Sequence, residues 1–180
     1  QPVPGWRRFS FGFGMALMFV AVASPIHRLG EDTFLFMHMT QHVIVGDIAP
    51  LAIVAGLTGP ILRPLLAISA INKLRAFGHP LIALPLWAVN LYVWHLPSLY
   101  EGALHHDAVH ALQHILFFAL GALMWATILE PLPGPVWFGT GSKLLAMVGV
   151  RLVTMILGNI ILWSGSVFYS TYDHAARWGI

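Results

Sequence analysis

Apolar residues along this chain gather into five long runs: Phe9 to Ala23, Leu35 to Ala55, Leu81 to Leu96, Val109 to Ile128 and Leu144 to Phe168. A membrane-spanning helix needs about 20 residues, with a range of about 17 to 25. The second, fourth and fifth runs meet that length outright. The first and third are short, and Trp6 and Trp94 extend them into the two interfaces, where amphipathic rings are favoured. The pattern predicts an all-α polytopic membrane helical bundle with about five transmembrane helices. The start of the chain, with Arg7, Arg8, an apolar run and Ala21-Val22-Ala23, also has the outline of a signal peptide. We read it as the first span, with no cleavage.

Between these runs the polar pattern changes twice. Gly59 to Gly78 interleaves Leu, Ile and Phe with Arg63, Lys73 and Arg75, the pattern of an amphipathic segment lying on a membrane face. Glu130 to Gly141 carries Pro131, Pro133, Pro135, Gly134, Gly139 and Gly141, which reads as a loop rather than a linker. One domain over residues 1–180 is expected.

A motif is written twice inside it. Pro25, Gly30, His38, Gln41 and His42 recur 72 positions later as Pro97, Gly102, His110, Gln113 and His114. This predicts a parallel internal repeat with halves at about 6–57 and 78–129, followed by an extra helix at about 144–168.

Composition sharpens the membrane reading. The chain is 58% hydrophobic and 9% charged, with a mean hydropathy of +0.77, against roughly a quarter charged residues in soluble domains. It has no cysteine, which excludes disulfides, thiolate metal sites and a catalytic Cys. The pI near 9.3 rests on nine Lys and Arg against seven Asp and Glu, too slight and scattered for nucleic-acid binding. The basic residues do set an orientation. Arg7, Arg8, Arg63, Lys73, Arg75 and Lys143 fall on one side. Arg28 and Arg177 fall on the other, with Glu31, Asp32, Glu101, Asp107 and Asp173. The positive-inside rule makes the first side cytoplasmic, so the N-terminus is expected inside and both histidine pairs near the outer face.

Ionisable side chains within spans are costly and usually face the bundle interior, where they mark function. His38 and His42, like His110 and His114, are spaced i, i+4 and so share one helix face. A pseudo-twofold repeat would bring all four imidazoles toward one centre. Imidazole suits copper, zinc, iron and nickel, and Met37, Met39 and Met124 offer thioether sulfur to Cu(I). A zinc-protease motif requires Glu after the first His, whereas Met39 and Ala111 follow here. Gln41 and Gln113 share the histidine face and are expected to hold ring nitrogens in one tautomer. His95 stands at a suitable height to join them. His27, His105, His106 and His174 fall in outer loops, where nearby acids would attract a cation. The bland alternative makes the motif histidines interhelical hydrogen-bonding groups.

Two further charges lie deep. Asp47 is about 18 Å from the outer start of its helix and Arg151 about 12 Å from the inner start of its own, at about 1.5 Å per residue. The two depths add up to the ~30 Å hydrocarbon thickness, which puts both groups at one height and predicts an intramembrane ion pair.

His38-Met39-Thr40-Gln41-His42, the run Trp94-His95-Leu96-Pro97-Ser98-Leu99-Tyr100 and the stretch from Val109-His110 to His114 together resemble the CtaG family of cytochrome c oxidase assembly factors. Ser24-Pro25, Ala49-Pro50 and His79-Pro80 fit as well, and the resemblance extends from about Trp6 to Tyr172. It implies a bacterial membrane protein that helps mature a haem-copper oxidase by supplying or placing copper from the outer face, with oxidase subunits as partners. Family members usually carry a further helix before Trp6 and more sequence after Tyr172. Asp47 and Arg151 stand where the family is generally apolar, and Gln113 where an acidic residue is common. Two other functions fit the same residues: a b-type haem electron carrier with bis-His ligation, and an accessory subunit of a respiratory or photosynthetic complex with no cofactor. No nucleophile–base arrangement or phosphate loop is present, so no enzyme activity is expected.

Overall fold

A computed structural model describes residues 3–24, 35–57, 62, 75–131, 134–163 and 169. Within them the chain is helical, with no strand: α1 (Gly5–Ala23), α2 (Leu35–Gly56), α3 (Pro80–Trp94), α4 (Pro97–His105), α5 (Asp107–Leu129) and α6 (Thr140–Trp163). Three of these, α2, α5 and α6, are long and apolar enough to cross a membrane. A fourth span is added if α3 and α4, bent by 72° at a short break, count as one. The 19-residue α1, which contains Arg7, Arg8 and Ser10, falls outside that set. Of the amphipathic segment expected over Gly59 to Gly78, the 3-10 turn Arg75–Gly78 is described and most of the rest lies outside the described residues.

Local chemistry sets the breaks. His79 caps α3, its Nδ1 accepting from Leu81 N at 3.3 Å, and Pro80 takes the first helical position, where its missing N–H costs nothing. At the other end Pro97 stops α3, because it cannot donate to the turn before it. His95 N and Leu96 N instead close short bonds to Tyr92 O and Val93 O, and Pro97 starts α4. The sequence pattern therefore put too much loop here: the segment holding Tyr100 and Glu101 is a helix, and His105 is its last residue.

Inside α2, residues Ile44–Ile48 form a π-helical turn between two α-helical parts. Pro50 accounts for its place. Lacking an N–H and crowding the carbonyl four residues back, it is accommodated by widening the helix, and Ala49 N–H reaches Ile44 O five residues back. The carbonyl that Pro50 leaves over belongs to Gly46, and α5 crosses there: a Cβ on Gly121 would run into Gly46 O. With lipid as solvent, such close approach of small residues supplies the packing that holds helices together.

The first helix lies antiparallel along α2. Arg7 Nη1 donates to Leu57 O at 2.6 Å, Ser10 Oγ to Ala52 O at 2.7 Å, and Gly14 abuts Ile53. The apolar core joins Val54 of α2, Trp87 of α3, Met124, Trp125 and Ile128 of α5, and Val150 of α6. Tyr92 OH donates to Val153 O at 3.1 Å, which pins α3 to α6.

Candidate metal centre

The two motif helices begin at Leu35 and Asp107, 72 residues apart, and run side by side in the same direction. His38 and His42 sit one turn apart on α2, as do His110 and His114 on α5, with ring centroids 4.2 and 4.3 Å apart within each pair. Across the helices His38 stacks on His110 at 5.4 Å and 14°, and His42 meets His114 edge-on at 5.6 Å. The structure thus brings all four imidazoles into one cluster. His38, His42 and His110 each offer one ring nitrogen, and the three lie within 4.8 Å of one another. Imidazole binds such ions at about 2.0–2.1 Å, which puts ligand nitrogens roughly 3.5 Å apart, so small ring rotations bring this triad onto one ion.

His95 closes a third side, 6.0 Å from His42. Its Nδ1 is 2.7 Å from Leu91 O, the carbonyl one turn back, a contact that fixes Nδ1 as the protonated nitrogen and leaves Nε2 with the lone pair. Tyr100, unassigned in the sequence reading, is 1% exposed and lies 5.1 Å from His38 and 6.4 Å from both His42 and His95. Tyr169 stacks on it at 3.8 Å and donates its hydroxyl to His95 O at 3.0 Å. Phe117 packs on His42 at 4.8 Å.

Both ring nitrogens of His42 are buried with no hydrogen-bond partner among the described residues, and the same holds for both amide atoms of Gln113, which is fully buried. Buried polar atoms are rarely left so in a folded protein, and a bound ion or water is one way to satisfy them. Gln41 Nε2 donates to Ala21 O at 2.9 Å and ties α1 to the cluster. Met124 lies in the apolar core, ten residues and about 15 Å along α5 from His114. Met39 packs against Tyr100 and Tyr169. His105, His106 and Asp107 are exposed at the turn from α4 to α5, while His27, Glu31, Asp32 and His174 lie outside the described residues.

Asp47, in the π-helical turn, accepts from Trp125 Nε1 at 2.8 Å on one oxygen and from Arg151 Nη1 at 2.6 Å on the other. The guanidinium also lies over the Trp125 ring, 5.9 Å from its centroid. One carboxylate thereby links α2, α5 and α6.

Parallel apolar helices that enclose a buried cluster of histidines give the class: a polytopic helical membrane protein. The chain belongs to the cytochrome c oxidase caa3 assembly factor family, whose model matches residues 1–180. A search of curated proteins and a search of solved structures each found no match. Family membership makes this an assembly factor of cytochrome c oxidase, and assembly implies contact with a haem-copper oxidase.

Proposed function

We propose that the chain carries copper as cargo for a haem-copper oxidase, held by His38, His42, His110 and His114 with His95 at its margin, near the outer face of a bacterial inner membrane. The observation that carries this reading is the convergence of His38, His42 and His110, whose ligand atoms lie within 4.8 Å of one another in a buried cluster. Nitrogen donors without thiolate suit copper among the metals an oxidase needs. Cu(I) has a filled d shell and accepts two, three or four donors, so it passes between ligand sets by exchange, with no turnover of the protein itself. Gln113 and Gln41 bound the cluster, and Tyr100 and Phe117 keep it dry.

The same reading includes five spans, with α1 and the bent α3–α4 pair counted as two of them, a parallel repeat relating α1–α2 to α3–α5, an N-terminus in the cytoplasm and a single domain. Arg7 and Lys143 at one end of the bundle and the histidines at the other support that orientation. The carrier of haem b is less well supported, because the imidazoles of α2 and α5 touch one another and leave no slot of macrocycle width between them. An absorption spectrum of the purified protein with metal analysis tests the choice. Copper without a Soret band is the expected result, and a reduced Soret and α band would replace copper by haem.

A further inference from the structure

The cluster is enclosed on most sides, so its cargo needs a way in. Tyr100, with Tyr169 stacked on it, covers His38, and Phe117 packs on His42. Beside the cluster, among the described residues, a groove of about 570 Å³ lies between α1 and α5, lined by Met18 and Val22 of α1 and by Asp107, His110, His114 and Phe118 of α5, among others. Its polar groups stand in a row. Asp107, His110 and His114 are spaced i, i+3 and i+7, which places them along one face of α5 from its exposed first turn inward. The row ends in the cluster, since His110 is stacked on His38 and His114 is 5.6 Å from His42.

We propose that this groove is the door for copper, with Asp107 as its outer gatepost and Met18 as a soft donor on the opposite wall. The inference rests on the copper reading and adds a route to it. A cation drawn to the Asp107 carboxylate moves to His110 by exchanging a carboxylate oxygen for an imidazole nitrogen, and then to His114 by exchanging one imidazole for another. The ion keeps its charge throughout, no electron is exchanged, and each ligand returns to its starting state once the ion has passed. The apolar wall of Val22 and Phe118 favours a weakly hydrated, soft ion over a hard, strongly hydrated one.

A gatepost differs from a ligand in a measurable way. A group used only in transit lowers the barrier in both directions, so its loss slows loading and release by the same factor and leaves the equilibrium almost unchanged. The probe is Cu(I) buffered by a bathocuproine sulfonate, with transfer to the full chain in detergent followed by the chelator's absorbance. Asp107→Asn is expected to slow both rates by about tenfold, the lower end of the scale on which charge in a cleft steers an ion. Ala111→Phe, which fills the groove without altering charge, should slow both further, while Glu130→Gln at the other end of the bundle leaves them unchanged. The number of copper ions bound stays as in the unaltered protein. Unchanged rates in both groove variants, or equal slowing by Glu130→Gln, would overturn the door. No copper taken up by the unaltered protein would overturn the carrier reading itself.

Discussion

Asp47 holds two donors from two other helices, and a carboxylate at this depth has few alternatives to such partners. Removing Arg151 leaves a charge in apolar surroundings, removing Asp47 leaves a guanidinium there, and removing both leaves neither. The single variants Asp47→Asn and Arg151→Gln are therefore expected to cost more together than the double variant does, with a coupling of roughly 0.5–3 kcal/mol. Thermal unfolding of the three variants in one detergent measures it, and strict additivity would mean that the pair contributes nothing. The pair was legible in the sequence because depth can be counted in residues from each end of a span. Trp125 was not, because an indole in an apolar run looks like any other large apolar side chain until its N–H is seen to face a carboxylate. The histidines were legible for a related reason: a spacing of four fixes a face, and the same spacing 72 residues later fixes a second one. Tyr100 gave no comparable signal, since its role depends on the bend at Pro97 that folds α4 back over the cluster.

The helices of the motif were read nearly to the residue at their N-terminal starts, and the differences trace to proline. Pro97 turned an expected loop into α4, and Pro50 placed a π-helical turn where apolar content alone predicts uninterrupted α-helix. That turn aims the Gly46 carbonyl at α5, and Gly121 is what lets α5 approach it. Replacing Gly121 by Leu should therefore destabilise the bundle by about 1–3 kcal/mol through overpacking, and it should loosen the cluster one to two turns above. Gly149 of α6 meets nothing within 4 Å at the same kind of position, so Gly149→Ala is expected to be neutral or stabilising by up to about 1 kcal/mol. Melting temperatures of the two variants decide it. Equal losses at both positions would show that close packing at Gly46 is not what joins α2 to α5.

For the molecule as a whole, the two ends differ in chemistry. Arg7 binds Leu57 O, and Lys143 pairs with Glu130 at 2.6 Å, at the end away from the histidines. The histidines, α4 and Asp107 share the other end. In the proposed orientation the second end faces outward. The chain has no native cysteine, so a unique cysteine at exposed Ser98 should be labelled from outside by an impermeant reagent, and one at Thr140 should not. Labelling at Thr140 alone, with outer-membrane access controlled, would invert the topology and put the cluster on the cytoplasmic side.

The claim that both halves of the molecule meet at one copper ion is tested most directly by X-ray absorption at the copper edge of the loaded protein, compared with His38→Ala and His110→Ala. Imidazole scattering from two or more histidines is the predicted result, with about one copper per chain and marked loss of copper when a ligand from either α2 or α5 is removed. Copper that shows no imidazole scattering, or that survives both substitutions at full occupancy, would contradict a shared site.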